Sequence, residues 1–268
     1  MWKRLKMNKN KGLLFIEITV VLVVLMLASL WVTRLVLLCD VDSAKTAVTS
    51  VTLVDLIPGI KAGVVHISTP AWQGSGFVIG EHLIATARHV VEGVEDFEII
   101  LDDGSMVSAT KAISSKNYDV AFIWIEDSLP VPLKLGSIAE CQLGQRIITI
   151  GSAYGKVNIN SVTLGIISGL DRDYSELNSA GYYGEQDYGW SVAFQTDSPG
   201  HPGNSGCPVF TSDGVVRGIL VGGFSPSLII CMPVDLFIDD IDEINRMFIQ
   251  GKYYCEEITD VAEEVWDY

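Results

Sequence analysis

Three residues, His89, Asp119 and Ser205, have the types and the chain order needed to activate a hydroxyl nucleophile. A serine hydroxyl is a weak nucleophile until an imidazole accepts its proton, and the imidazole needs a carboxylate to fix its tautomer. Glycines flank Ser205 in the segment Gly203–Gly206, which is typical of a turn that presents such a serine. The order histidine, aspartate, serine is one of three known solutions to this geometry. The pattern therefore predicts a serine hydrolase with these three residues as its triad.

The glycines around Ser205 also indicate how an oxyanion would be stabilised. Without side chains at Gly203 and Gly206, backbone N–H groups can turn toward a substrate carbonyl, whereas larger residues would strain the turn. The predicted oxyanion hole covers Gly203, Asn204 and Ser205, with the amides of Gly203 and Ser205 as its donors.

The elements that would position these residues are strands. Between residues 58 and 240, short runs rich in Val, Ile, Thr and Phe are separated by Gly, Asp and Ser, and helical periodicity is weak. This pattern predicts an all-β domain. The chain of 268 residues is long enough for one such unit with a sizeable core.

Several separate stretches resemble the trypsin-like serine peptidases, and within them the HtrA/Deg branch. They carry the histidine turn, the aspartate strand, the crossing between barrels with its hairpin, the serine loop and the closing strand, at 74–93, 119–123, 133–151, 161–169, 195–206 and 232–235. The resemblance implies two six-stranded antiparallel β-barrels, at about 58–130 and 140–236, with the active site between them. It also implies a serine endopeptidase that acts on polypeptides without a cofactor, and it makes a homo-oligomer a candidate assembly.

The chain departs from this family at three places. Cys207 stands where most relatives have a second glycine after the serine, and we interpret it as a small buried residue. Residues 171–193 predict a long loop beside the cleft, of a kind that often gates access. Only about 25 residues follow Ile241, so we expect no PDZ domain.

Substrate preference can be predicted from the expected specificity pocket. In trypsin-type cleavage an acidic residue stands six positions before the serine, but Pro199 occupies that position here. His201 lies close to the nucleophile, and Leu220, Val221, Gly222 and Gly223 predict an apolar wall. We therefore expect small or medium aliphatic residues before the scissile bond rather than Lys or Arg.

The N-terminus predicts a membrane anchor. A basic tail at 1–12 precedes an anchor at 13–38, and the run 13–33 is apolar except for Glu17. At about 1.5 Å per residue this run is long enough to cross a bilayer core of about 30 Å. The positive-inside rule then predicts a cytoplasmic N-terminus, a linker at 39–57 and a periplasmic or extracellular domain.

Glu17 leaves two interpretations open. The segment Lys11–Glu17 resembles a type IV prepilin processing site, with cleavage after Gly12 and a glutamate fifth in the mature helix. Alternatively, Glu17 is only one turn inside the helix and reaches the cytoplasmic interface.

Charge makes nucleic acid an improbable partner. The net charge is −15, and residues 40–268 carry 32 acidic against 12 basic side chains. Such a surface repels phosphates. An acidic tail, 241–268, follows the predicted peptidase domain.

The sequence predicts neither a metal site nor a cofactor. The five cysteines have no disulfide-framework spacing, and no metal-ligand motif is present. Two alternatives to a peptidase remain: a non-catalytic binding or pilus-associated scaffold that keeps the fold, and an esterase, which the strand pattern disfavours because esterases usually carry the serine on a strand-to-helix elbow.

Overall fold

The computed structural model describes residues 19–34 and 52–251, except 71, 95, 110, 116 and 176–189. The chain divides into two units, at 1–51 and 52–268. Several predictions fall outside the described residues. They concern the basic tail with Gly12 and Glu17, most of the 171–193 loop, and most of the acidic tail.

In the first unit, helix α1 spans 19–34. No helix among the described residues is both long and apolar enough to cross a membrane. The predicted membrane-spanning helix at 13–38 is therefore not supported; residues 13–18 and 35–38 of that range lie outside the described residues.

The second unit begins with helix α2, Leu53–Lys61, whose start is fixed by a capping box between Thr52 and Asp55. Ile60 is buried, and Leu53 and Leu56 pack against the core. The end of the predicted 39–57 linker is therefore helical and packed, because these apolar side chains have a core to cover.

The first sheet has seven antiparallel strands: β1 Val64–Ser68, β2 Gln73–Val78, β3 Leu83–Thr86, β4 Phe97–Ile100, β5 Met106–Ala109, β6 Lys111–Ser114 and β7 Ala121–Trp124. Their order is β5-β4-β1-β2-β3-β7-β6. Helix α3, Arg88–Val91, lies between β3 and β4 in sequence.

The second sheet is a closed six-stranded barrel: β8 Arg146–Gly151, β9 Ser161–Arg172, β10 Ala193–Thr196, β11 Pro208–Thr211, β12 Val216–Ser225 and β13 Leu228–Pro233. Its order is β10-β13-β12-β11-β8-β9. Helix α4, Ile241–Ile249, follows and buries Ile244, Met247 and Phe248. The start of the predicted acidic tail is thus part of the packed structure.

The prediction of two six-stranded barrels is confirmed for the second sheet and wrong in strand number for the first. In the first sheet, β5 pairs with β4 and the next strand in the chain, β6, pairs with β7. β5 and β6 are therefore consecutive in the chain but lie at opposite edges of this sheet. The all-β, two-sheet architecture holds.

The two sheets share one apolar interior. A single core cluster contains Phe77 and Phe122 of the first sheet with Ile150 and Phe210 of the second. Loops at the ends of these strands are thereby held in fixed relation to one another.

Candidate active site

His89 and Asp119 are in direct contact. The Asp119 carboxylate accepts a hydrogen bond from Nδ1 of His89, at 2.8 Å to Oδ2, and one from the His89 backbone N–H, at 3.1 Å to Oδ1. Helix α3 carries the histidine, and Asp119 lies just before β7. Because an ionised carboxylate only accepts, Nδ1 must carry the proton, which leaves Nε2 able to accept another.

The charge of Asp119 decides the protonation of His89. Burial of the ring is the largest single influence and lowers its pKa, but the charge and hydrogen bond of Asp119, with a contribution from Glu92, outweigh it, so the net pKa of His89 is raised above 6.5. The Asp119 side chain is fully buried, whereas that of His89 is 25% exposed. The imidazole can therefore reach both solvent and substrate while its partner stays shielded.

Ser205 lies in a loop with a fixed backbone. Its carbonyl accepts the N–H of Ser75 on β2 at 2.8 Å, and the next amide, of Gly206, donates to the carbonyl of Leu220 on β12 at 2.7 Å. A Cβ atom at Gly74 would lie 2.7 Å from the Val90 side chain and 3.1 Å from the Ser205 carbonyl oxygen. Both α3 and the serine loop therefore lie against Gly74, which brings the histidine and serine segments to one place.

Glycine is required on both sides of the nucleophile. Gly203 and Gly206 have φ of 97° and 85°, in the left-handed region that favours glycine. Added Cβ atoms would lie 2.4 Å from the Ser152 carbonyl oxygen and 2.1 Å from that of Ser75, respectively. The turn exists only because these positions have no side chain.

Two of the three predicted oxyanion-hole residues have amides available to a substrate. The Asn204 N–H donates to the carbonyl of His201 at 2.9 Å, so this amide is engaged. In the described part of the chain, no backbone acceptor receives the N–H of Gly203 or of Ser205. The Pro202 carbonyl accepts the N–H of Tyr154 at 2.7 Å. Because the two ends of a trans peptide point in opposite directions, this contact turns the Gly203 N–H away from Tyr154.

A cavity of about 410 Å³ opens beside Ser205. Of the predicted pocket residues it contains His201, Leu220, Gly222 and Gly223, and the structure adds Tyr154 and Ile229. Pro199 is exposed and Val221 is buried in the core, and neither lines the cavity. Four of the six predicted pocket residues therefore line this cavity, and two do not.

Ile229 limits the depth of this cavity. Its Cδ1 atom lies 2.6 Å from the position that a Cβ would occupy at either Gly200 or Gly223. A side chain at Gly200 or Gly223 would collide with Ile229, so these two positions of the cavity lining need glycine.

Cys207 is a packing residue. It is completely buried in a core cluster with Cys231 and Phe194. Burial raises the pKa of its thiol far above the ordinary value. The thiol is therefore neutral and cannot replace Ser205 as a nucleophile.

Sequence reasoning missed two contributors to the site. The Ser75 hydroxyl donates to the Gly203 carbonyl at 2.8 Å and accepts the Ser152 N–H at 2.9 Å, which fixes the loop before the nucleophile. The indole Nε1 of Trp190 lies 3.4 Å from Oδ2 of Asp119. Nothing in the sequence around Trp190 indicated this contact.

Residues 74–219 match the family model described as the trypsin-like peptidase domain. The match covers more than half of the chain, so the chain belongs to this family, and the prediction from its motifs is confirmed. Two of its relatives are named as a serine protease and a probable serine endoprotease. Serine protease Do-like HtrA of Bacillus subtilis (strain 168) is 35% identical over 156 residues, covering 56% of this chain and 33% of the relative. A probable periplasmic serine endoprotease, DegP-like, of Halomonas elongata is 35% identical over 180 residues, covering 65% and 35%.

Solved structures show the same fold. HtrA-type protease AlgW with tripeptide has a TM-score of 0.62 at 22% identity, covering 75% of this chain and 65% of that one. Deg5 has a TM-score of 0.58 at 25% identity, covering 74% and 94%. The chain spans about a third of the length of the two curated relatives. Family and fold together support the prediction of a serine endopeptidase of the HtrA type.

Proposed function

We propose that this protein is a serine endopeptidase that hydrolyses peptide bonds in exposed or misfolded polypeptides. The observation that carries the proposal is the hydrogen bond between His89 and the buried Asp119, at the place where the loop bearing Ser205 is fixed. This arrangement supplies the base, its orienting carboxylate and the nucleophile that acyl transfer requires.

In the proposed reaction, Ser205 Oγ attacks the carbonyl carbon of the scissile bond while Nε2 of His89 accepts the hydroxyl proton. Asp119 stabilises the imidazolium that forms, and the amides of Gly203 and Ser205 donate to the developing oxyanion. His89 then protonates the leaving amine. Water, deprotonated by the same ring, hydrolyses the acyl-enzyme and releases Ser205.

We further propose a preference for small or medium aliphatic residues immediately before the scissile bond. The support is the cavity beside Ser205, with Leu220 and Ile229 in its lining and no acidic side chain among those of its lining residues that the structure describes. A long basic side chain would find no carboxylate partner among these residues, so burying its charge against them would be costly.

The test is fluorophosphonate labelling of the full chain, followed by digestion of an unfolded protein and mapping of the cleaved bonds. Wild-type protein should be labelled and cleave after aliphatic residues. Ser205→Ala should do neither, and the exposed-serine variant Ser128→Ala should behave as wild type. A folded wild-type protein that neither reacts nor cleaves would refute the proposal and favour the non-catalytic scaffold. Cleavage confined to bonds after Lys or Arg would refute the specificity alone.

The cellular location predicted from the sequence stays a proposal: attachment through residues 13–38, with the peptidase domain outside the cytoplasm. Its support is the apolar run and the basic residues before it. Fractionation and protease accessibility of intact cells test it, because a cytoplasmic domain would be protected. A homo-oligomer, proposed from family resemblance, is tested by sedimentation of the full chain.

A further inference from the structure

The carboxylate of Asp119 is surrounded by three N–H groups. Two belong to His89, its backbone amide and ring Nδ1, and the third is the indole Nε1 of Trp190, 3.4 Å from Oδ2. Asp119 is 0% exposed. A buried carboxylate needs such donors to remain ionised, and bonds to charged groups are stronger than those between neutral ones. Trp190 is therefore the one donor in this set that the histidine does not supply.

The indole is held in this position by its surroundings. Trp190 is only 3% exposed, and its carbonyl accepts the N–H of Tyr174 at 2.8 Å. Its ring lies on Gly222 of β12, where an added Cβ would come within 2.8 Å of ring atom Cη2. Glycine at 222 thus leaves the space that the ring occupies next to the aspartate.

We propose that Trp190 is a positioning residue for the triad, and this rests on the proposed peptidase function. Its N–H holds Oδ2 of Asp119, the oxygen that also accepts Nδ1 of His89, and so restricts rotation of the carboxylate. A fixed carboxylate keeps the imidazole of His89 in one orientation. In this role Trp190 acts through Asp119 rather than on the reacting atoms.

Trp190→Phe is the informative variant because it removes the N–H and keeps an aromatic ring of similar position. With one donor fewer, the negative charge of Asp119 is less dispersed and attracts the imidazolium more strongly. We expect the pKa of His89, measured by NMR titration of its ring in the full chain, to rise by about half a unit. We also expect kcat to fall about tenfold, the effect of about 1.4 kcal/mol, with KM nearly unchanged.

Trp124→Phe is the matched control. Trp124 is half-buried at the other end of β7, where it stacks on His82 with ring centroids 5.2 Å apart. This variant loses a buried indole surface without touching Asp119, so His89 should titrate as in wild type. Thermal unfolding of both variants measures how much of each protein is folded, so that a loss of folded protein is not mistaken for a change in kcat.

Two results would overturn the positioning role. One is a His89 titration in folded Trp190→Phe that matches wild type. The other is an equal rise of the His89 pKa in the control, Trp124→Phe. The titration needs no turnover, so it tests Trp190 even if the wild-type protein fails to react with fluorophosphonate, a result that would refute the peptidase proposal separately.

Discussion

The imidazole of His89 is subject to two opposing influences. Burial disfavours its charged form, whereas the carboxylate 2.8 Å away and, more weakly, Glu92 favour it. The carboxylate prevails, so the ring is more basic than an exposed histidine. The efficiency of a general base depends on its pKa, so this balance bears directly on catalysis.

The first prediction concerns the pH dependence of cleavage. Since His89 must be neutral to accept the Ser205 proton and its pKa is raised, kcat/KM should fall on the acid side with a midpoint above 6.5. Folding stability depends on the charge of His89 in the opposite direction to activity. A raised folded pKa stabilises the fold below the unfolded value, and this contribution disappears as the pH rises through the folded pKa. Loss of activity in acid is therefore not caused by His89 destabilising the fold, and circular dichroism at each pH checks that the protein stays folded.

Glu92→Gln provides the control for this profile. Glu92 raises the pKa of His89 through its charge, so its neutral counterpart should move the midpoint to lower pH. A wild-type midpoint at or below 6.5 would contradict the prediction.

At the scale of elements, the strands explain which predicted pocket residues face the cavity. Successive side chains on a strand point to opposite faces, so Leu220 of β12 lines the cavity while its neighbour Val221 enters the core. Gly222 lies two residues after Leu220 and lines the cavity as this alternation predicts, whereas the adjacent Gly223 lines it as well. The pairing of β12 with β13 shifts register on both sides of these two glycines, between Leu220 and Gly222 and between Gly223 and Ser225. A sequence pattern identified the wall, but irregular pairing of this kind cannot be read from one strand alone.

The second prediction tests Ile229 of β13 as the limit of the pocket. Ile229→Ala removes the side chain that lies against Gly200 and Gly223. The deeper pocket should accept larger residues, so kcat/KM for Leu or Phe relative to Ala before the scissile bond should rise about tenfold. A set of peptides that differ only at this position measures the ratio.

Ile230→Ala is the matched control for that change. Ile230 is also fully buried on β13, but it belongs to the core cluster and does not line the cavity. Both variants should lose about 2–5 kcal/mol of unfolding free energy. If both or neither alter the peptide ratio, Ile229 does not set the pocket depth.

At the scale of the whole molecule, the sequence predicted those features that depend on short stretches of neighbouring residues. The triad types, the glycine turn and the all-β class follow from short motifs and strand composition. Contacts between distant segments do not follow from such motifs. Ser75 binds Gly203, and Trp190 binds Asp119, although the residues of each pair lie far apart in the sequence and no local pattern relates them. The strand count of the first sheet was not predicted because β5 and β6 are adjacent in the chain but pair with different strands, β4 and β7.

The same limitation applies to Asn160, which connects the two sheets. From the connection between β8 and β9, its Nδ2 donates to the Val64 carbonyl on β1 at 2.9 Å and to Oδ1 of Asp102 at 3.0 Å. Asp102 also pairs with Lys61 of α2, at 2.6 Å. Asn160 is almost completely buried and has a φ of 49°, which asparagine tolerates better than most residues. One side chain therefore joins two sheets and is also suited to its strained backbone.

The third prediction is that Asn160→Ala destabilises the domain by about 2–4 kcal/mol, because it removes the donor to the buried Val64 carbonyl and places alanine in the left-handed region. Denaturant unfolding of the full chain measures this loss. Asn158→Ala is the control. Asn158 is exposed in the same connection, and its side chain donates to the Ala153 carbonyl at 2.9 Å, so its loss should cost well under 1 kcal/mol.

Asn160→Gly separates the two effects, since glycine relieves the backbone but restores no hydrogen bond. If Asn160→Gly is as stable as wild type, the contacts between the sheets contribute nothing, and only the backbone conformation makes asparagine necessary there.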